Sequence, residues 1–366
     1  YHMCGWRIFP SLDAAKILYL KRAGLEQPGI RYLSTIEIVN QFLTGRAIID
    51  PTNAAIRQLL NIRTANWDAR MLEALNLSPM QLPEIKPTGA LVGGLSRAAA
   101  QATGLAEGIP VYSGAHDQYC ASIGAAAIQA GDMLLSAGTT WVVLGLGTQP
   151  LFTPSFIAPS IHPVPGLFGA IASLSGSGVS LEWYRNKFLP ETDYAVIDDE
   201  AARREPGDLF YYPYPLGAAY PIWNPDARAA FTGSTLEHDR YDYARAIMEG
   251  VAFGVRRTLI DFSQNGCSIH ALKVLGGAAK SPLWTRLICD IANIRVELLR
   301  EPDACALGAA VIAACGAGAY PNYRAAANAM VQHAATLEPD PERAKYFAEK
   351  FDRYSRQWAQ IAQYYA

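Results

Sequence analysis

Apolar positions recur along this chain with two spacings, and the change from one to the other outlines its elements. After Asp340-Pro341, the residues Phe347, Phe351, Tyr354, Trp358, Ile361 and Tyr365 follow at three- and four-residue steps, the spacing of one helix side. Such a stripe suits docking on its own domain better than coiled-coil pairing, and a homodimer stays open. The same period runs over 241–262, where Ala244, Ile247, Met248, Val251, Ala252, Val255 and Leu259 share a face. Glu249 stands beside that face and reads as a solvated edge residue without a role. Upstream the pattern is different. Residues 133–181 contain no Asp, Glu, Lys or Arg, and Pro150, Pro154, Pro159, Pro163 and Pro165 interrupt them. Short buried strands fit this better than a membrane span. They fall at 134–136, 141–145 and 167–174, with a Pro-rich loop before the third, and two more at 272–275 and 295–299.

Caps and turn residues set the remaining borders. Residues 11–22 read as a helix capped by Ser11, with Leu12, Ala15, Leu18 and Tyr19 on its apolar side. A helix over 35–44 ends with Gly45 at its C′ position. Asp50-Pro51-Thr52-Asn53 reads as a loop by composition, and Asp68 precedes a short helix that ends at Leu75. Residues 83–94 are extended or irregular, and 96–103 form a small helix. Ser175-Gly176-Ser177-Gly178 leads into a helix over 179–188. The Tyr- and Pro-rich run 209–223 reads as a surface arm or packed excursion rather than a ligand cage. Ser281 and Pro282 are an N-cap and N1 pair. Asp303 caps a helix over 306–315, whose Gly308, Ala309, Ala310 and Ala313 suit close packing.

Composition narrows the picture. Of 366 residues 51% are hydrophobic and 17% charged, against an average charged share of about 25%. Large cores in two or more domains follow. A net charge of −2 leaves no footprint for nucleic acid or an anionic membrane surface. The six Cys include no CxxC pair and read as buried free thiols of a reducing cytoplasm. The six His show no metal-ligand spacing, so no structural metal is expected. The first residues have no basic start followed by an apolar run, so no secretory leader is expected.

The chemistry gathers in 112–146, YSGAHDQYCASIGAAAIQAGDMLLSAGTTWVVLGL. A short strand runs through His116-Asp117 into a helix, and a Gly138-Thr139-Thr140 turn joins two strands. Two readings of Asp117 stand together. It caps the helix, and the positive helix end keeps its carboxylate ionised, as a base requires. Gly138-Thr139-Thr140 is either a plain hairpin turn or a phosphate-holding turn, since Thr is not a usual residue of tight hairpins. Gly138-Thr139, Gly176 to Gly178 and Gly276-Gly277 all follow strands, where glycine lets a ligand approach the backbone.

Eight segments stand in an order that resembles the FGGY family of carbohydrate kinases, which includes xylulokinase and glycerol kinase. They are KILYL (16–20), FLTG (42–45), the run 50–75, GAHDQ (114–118), SAGTT (136–140), MEGVAFGVR (248–256), LGGAAKSPLW (275–284) and ALGAA (306–310). The resemblance implies an α/β protein with the two-domain actin-like (ribonuclease-H-like) ATPase fold, its first domain incomplete at the N-terminus. Residues 1–132 would be the remainder of a sugar-binding domain and 133–366 a nucleotide-binding domain. It further implies a cytoplasmic ATP- and Mg2+-dependent kinase acting on a small-molecule sugar, a pentulose such as xylulose. By the family motif, Asp117 is the general base, and Gln118 and His116 bind the sugar. Gly138, Thr139 and Thr140 match the second phosphate loop, Gly178 a glycine beside the nucleotide, and Gly277 and Ala278 the adenosine motif. The chain departs from the pattern at Ser11 to Asp13, Tyr19, Thr232 to Ser234 and Asp303. The family's opening D-x-G-T loop does not precede Tyr1. The expectation is therefore a fragment that alone phosphorylates sugars poorly or not at all, with a non-catalytic nucleotide- or sugar-binding role as the alternative. The GAHDQ segment argues against an assembly ATPase of the same fold.

Overall fold

The computed structural model describes residues 1–204, 207–221, 223–301 and 303–365. Its first third is built from short pieces. Helices α1 (Asp13–Arg22) and α2 (Thr35–Thr44) precede β1 (Ile48–Ile49), α3 (Pro51–Ile56), the pair β2 (Leu60–Asn61) and β3 (Asn66–Trp67), and α4 (Ala69–Ala74). Strand β4 (Glu84–Ile85) pairs in parallel with β1, while β5 (Leu91–Gly94) and β6 (Pro110–Tyr112) pair antiparallel around α5 (Arg97–Thr103).

Two expectations are corrected here. Leu12, not Ser11, holds the cap position of α1, without a side-chain bond. The helix buries Ile17, with Ala14 and Leu18 against the same cluster, and Tyr19 is exposed. The buried Arg57 donates to Asp13 and so turns the side carrying residues 13 and 17 inward. The segment 50–53 is not a loop: Asp50 caps α3, with Pro51 as its first residue. Asp-Pro marks a helix start as readily as a turn.

The chain continues with α6 (Asp117–Gly124), the hairpin β7 (Asp132–Ala137) and β8 (Trp141–Gly147), then β9 (Ile157–Ile161) and β10 (Phe168–Leu174). Helices α7 (Ser177–Phe188) and α8 (Tyr194–Ala202), the pair β11 (Phe210–Tyr212) and β12 (Ala230–Thr232), and the long α9 (Arg240–Gln264) follow. The C-terminal stretch holds β13 (Ala271–Gly276), α10 (Pro282–Ala292), β14 (Val296–Leu299), α11 (Ala304–Gly316), α12 (Tyr323–Met330), β15 (His333–Leu337) and α13 (Pro341–Ile361). Seven strands form one sheet in the order β15-β14-β13-β7-β8-β10-β9.

Side chains alternate across that sheet. Met133, Leu135, Trp141, Val143, Ala170, Ala172, Leu272 and Val274 face a core shared with α9, α10 and α13. Leu134, Leu144, Leu146 and Ile171 face Tyr119 of α6 on the other side. Burial on both faces explains why 133–181 carries no charge. The Pro-rich loop contains the unforeseen β9, an edge strand in which Pro159 needs no outward N–H partner. Strand β11 lies in the core, so the Tyr-rich run is packed rather than a surface arm. The aromatic stripe of α13 docks on its own core through Phe347, Phe351 and Tyr354. Among the described residues, no helix is long and apolar enough to cross a membrane.

The middle of α9 is buried on every side, and Glu249 is not a solvated edge residue. It is buried and accepts from Arg245 Nε and Lys350 Nζ, each at 2.7 Å. The polar side of the helix pattern is covered by α13 rather than by water. Of the small residues of α11, Gly308 makes the close approach, whereas Ala309 and Ala310 are exposed. All six cysteines are free, three buried and three half-buried.

Candidate active site

Strand pairing gathers the three glycine turns on one edge of the large sheet. Trp141, at the start of β8, lies opposite both Ala137 and Leu174, the ends of β7 and β10. The parallel partner β13 brings Gly276 opposite Ala137. The turns touch one another. Val179 N–H donates to the Thr139 carbonyl at 3.1 Å. A Cβ on Gly178 would sit 2.0 Å from the Gly138 carbonyl oxygen. Gly276 has φ +91°, and its Cβ would meet the Ala137 carbonyl oxygen at 2.7 Å. These positions accept glycine alone, because a methyl would push backbone from backbone.

The outer side of the same group is open. Gly138, Thr139 and Thr140 are exposed. A Cβ on Gly138 or Gly277 would meet its nearest heavy atom only at 3.9 or 3.7 Å. Backbone N–H groups and two hydroxyls are therefore exposed at this turn, the kind of donors that cradle phosphate oxygens. Ala278 is buried, so it can offer such a ligand only its backbone.

Asp117 belongs to a second group, at the N-terminus of α6. His116, not Asp117, holds the cap position: its backbone is non-helical and its Nδ1 lies 3.3 Å from Gln118 N. Asp117 is the first helical residue, and its side chain is 68% exposed, so the carboxylate is open to a reactant. Its Oδ1 accepts from Gln118 N at 2.6 Å and stands 3.1 Å from His116 Nδ1. Burial lowers the His116 pKa, against the opposing pull of Asp117 and Asp50, and so favours the neutral ring. The buried Oε1 of Gln118 has no hydrogen-bond partner among the described residues.

A network not foreseen from the sequence supports this turn. His116 N–H donates to Thr52 Oγ1 at 2.7 Å, and Thr52 Oγ1–H donates to Asp50 Oδ2 at 2.6 Å. Asp50 is buried and also accepts from Asn53 Nδ2 and Thr88 Oγ1. The signal was present in Asp50-Pro51-Thr52-Asn53, a helix start with extra hydrogen-bonding side chains.

Packing relates the two groups. Tyr119, two residues beyond Asp117, is buried against Leu134, Leu144 and Ile171 of the sheet. Ala115 and Val142, both partly buried, pack on the same cluster. The start of α6 is thus packed on the large sheet through Tyr119. Helix α11 holds α6 from behind. A Cβ on Gly308 would sit 1.8 Å from the Cys120 carbonyl oxygen, and one on Gly124 1.8 Å from that of Ala304.

Comparison with known proteins agrees with the motif order. Residues 14–124 match the N-terminal domain of the FGGY family of carbohydrate kinases, and residues 133–317 match its C-terminal domain. A xylulose kinase of Bacillus subtilis is 27% identical over 361 residues, covering 95% of this chain and 71% of that protein. An autoinducer-2 kinase of Escherichia coli is 26% identical over 348 residues, covering 88% of this chain and 65% of that one. The chain thus spans about two thirds of the length of such relatives. The crystal structure of a ligand-bound xylulose kinase from Lactobacillus acidophilus superposes with a TM-score of 0.92 at 24% identity, covering 100% of this chain and 75% of that one. The fold is accordingly the two-domain actin-like, ribonuclease-H-like one.

Proposed function

The chain belongs to the FGGY family of carbohydrate kinases, and from that premise we propose that it transfers the γ-phosphoryl group of ATP to a hydroxyl of a small sugar, a pentulose such as xylulose. Residues 1–132 then carry the sugar side and 133–366 the nucleotide side, and the reaction belongs to the cytoplasm. The observations that support the reading are the meeting of three glycine turns at one end of the large sheet and an exposed carboxylate at the start of a helix that packs on the same sheet through Tyr119.

In this reading Asp117 takes the proton of the attacking hydroxyl, and Gln118 Oε1 accepts from a neighbouring hydroxyl. His116, neutral, adds a further polar contact. Thr139 and Thr140 hold phosphate oxygens through N–H groups and hydroxyls. Gly138, Gly178, Gly277 and the backbone of Ala278 let the nucleotide come close. Transfer of this kind needs in-line positioning and charge stabilisation more than covalent chemistry. Magnesium supplies charge neutralisation on the phosphates. Among the described residues no three His, Cys, Asp or Glu converge to hold it.

The test is Asp117→Asn, assayed for ATP-dependent phosphorylation of D-xylulose against a panel of polyols and sugar acids. Transfer is expected to fall by about 100- to 10,000-fold, the range for a general base. The rise in melting temperature on adding ATP should persist. Given measurable transfer by the unaltered protein, an Asp117→Asn protein that turns over at the same rate overturns the assignment, whereas an unaltered protein that transfers nothing to any of the panel overturns the kinase reading of this chain in favour of a nucleotide- or sugar-binding role.

A further inference from the structure

A cavity of about 280 Å3 opens between α9 and α13, with Ser175 and Ser177 also in its lining. Its walls are mainly apolar and include six aromatic residues, Tyr214, Tyr220, Phe253, Phe351, Tyr354 and Trp358. Tyr214 and Trp358 stack with ring centroids 4.3 Å apart. The size lies just below the roughly 300–1,000 Å3 of drug-sized ligand pockets, which suits a single ring rather than a nucleotide.

Two residues of α9 say what the cavity takes. The first is Gly254. A glycine inside a helix costs about 1 kcal/mol relative to alanine, so its presence needs a reason. Gly250 has one, since a Cβ there would sit 2.1 Å from the Tyr211 carbonyl oxygen. Gly254 has no such neighbour: a Cβ would meet only the Leu174 methyls, at 3.8 and 4.0 Å. What the glycine preserves is the room in the cavity it lines. The second is Arg257, half exposed, which also lines the cavity. Its Nε is 3.7 Å from Asp261 Oδ1, while Ser155 and Tyr220 both donate to Asp261 Oδ2. Among the described residues Arg257 makes no hydrogen bond, so its planar donors are available to a carboxylate.

We propose that this cavity binds a small molecule with one flat apolar ring and a carboxylate. The ring lies among the aromatic walls, and the carboxylate meets Arg257. The site stands independently of which hydroxyl the protein phosphorylates. Calorimetric titration with phenylacetate, phenylacetamide and 2-phenylethylamine tests it. Phenylacetate is expected to give saturable binding about tenfold or more tighter than the amide, with the amine weaker still. Arg257→Met removes the difference between acid and amide. Gly254→Leu, which fills the space, removes binding of both. Gly254→Ala raises the melting temperature while weakening phenylacetate, the mark of a glycine kept for a ligand rather than for packing. Absence of saturable phenylacetate binding overturns the proposal, as does equal affinity for the amide. Binding that survives Gly254→Leu places the ligand elsewhere and overturns it too. Where Gly254→Leu does not fold, Gly254→Ala decides occupancy, and Arg257→Met decides the charge preference.

Discussion

Thr52 joins two regions of the candidate site through one hydroxyl. It accepts the His116 N–H and donates to the buried Asp50, so the turn that presents Asp117 is tied to the start of α3. Thr52→Val keeps the shape and removes both bonds. If Asp117 is the base, a small misplacement of the turn is enough to slow transfer, and kcat should fall by about 10- to 100-fold. The KM for ATP should hold, and Thr52→Ser should restore the rate. Steady-state kinetics on the three proteins checks this, and an unchanged kcat in Thr52→Val would show that the bond does not position the turn. A second residue sets a pH dependence. His162 is buried, its Nδ1 accepts from Val164 N, and its Nε2 lies 3.2 Å from Ser122 Oγ of α6. With Nδ1 accepting, Nε2 carries the proton and donates. Burial pushes its pKa down to about 3, against about 6.5 for a free ring. The folded protein therefore keeps a neutral ring while the unfolded chain takes up a proton. The stability this contributes is complete above about pH 6.5 and falls by about 1.4 kcal/mol per pH unit as the pH drops towards 3. Urea unfolding between about pH 5.5 and pH 4 should show a slope that is shallower by about one proton in His162→Gln.

At the scale of elements, two helix contacts hold the site in place. Helices α6 and α11 cross with glycine against backbone, and the two missing Cβ atoms would each fall 1.8 Å from a carbonyl oxygen. Gly308→Ala must force the helices apart, at a cost of about 1–3 kcal/mol or more, whereas Ala310→Ser on the exposed side should change little. Thermal melts of both variants separate the packing role from any effect of composition. Helices α9 and α13 are joined by the buried Arg245–Glu249–Lys350 group. Glu249→Gln leaves two buried cations facing each other, and denaturant unfolding should show a loss of about 3–5 kcal/mol. The sequence revealed the existence of α9 and α13 because their apolar stripes are long, and it marked the start of α10 by its cap. It did not reveal α8, α12, β9 or β15. In β9 Pro159 masks the strand pattern, and β15 is an exposed edge strand that has no buried face to leave a trace. Glu249 was misread for a related reason: a helix pattern shows which side is polar, and only the packing of α13 shows that this side is covered.

At the scale of the molecule, the site is a product of topology. Residues 138, 178 and 276 are far apart in the chain, and they meet because β7, β10 and β13 end on one edge of one sheet. The three glycine turns were legible one by one, and the motif order pointed to the family. Their mutual contacts were not legible, since contact depends on strand pairing and direction, which no local pattern records. This arrangement sets apart two glycines that look alike in sequence. At Gly178 an added Cβ meets the Gly138 carbonyl at 2.0 Å, whereas at Gly138 it meets nothing closer than 3.9 Å. Gly178→Ala must therefore push the two turns apart and weaken the Val179–Thr139 bond, lowering the melting temperature of the protein without ligand. Gly138→Ala leaves the fold alone and places a methyl on the open side of the turn. If that side receives phosphate oxygens, ATP at about 100 times its Kd stabilises the unaltered protein by about 2.7 kcal/mol, and Gly138→Ala loses most of that gain while melting normally without nucleotide. Thermal unfolding of the three proteins with and without ATP reads both effects. A Gly138→Ala protein that is stabilised by ATP as fully as the unaltered one would place the triphosphate away from this edge.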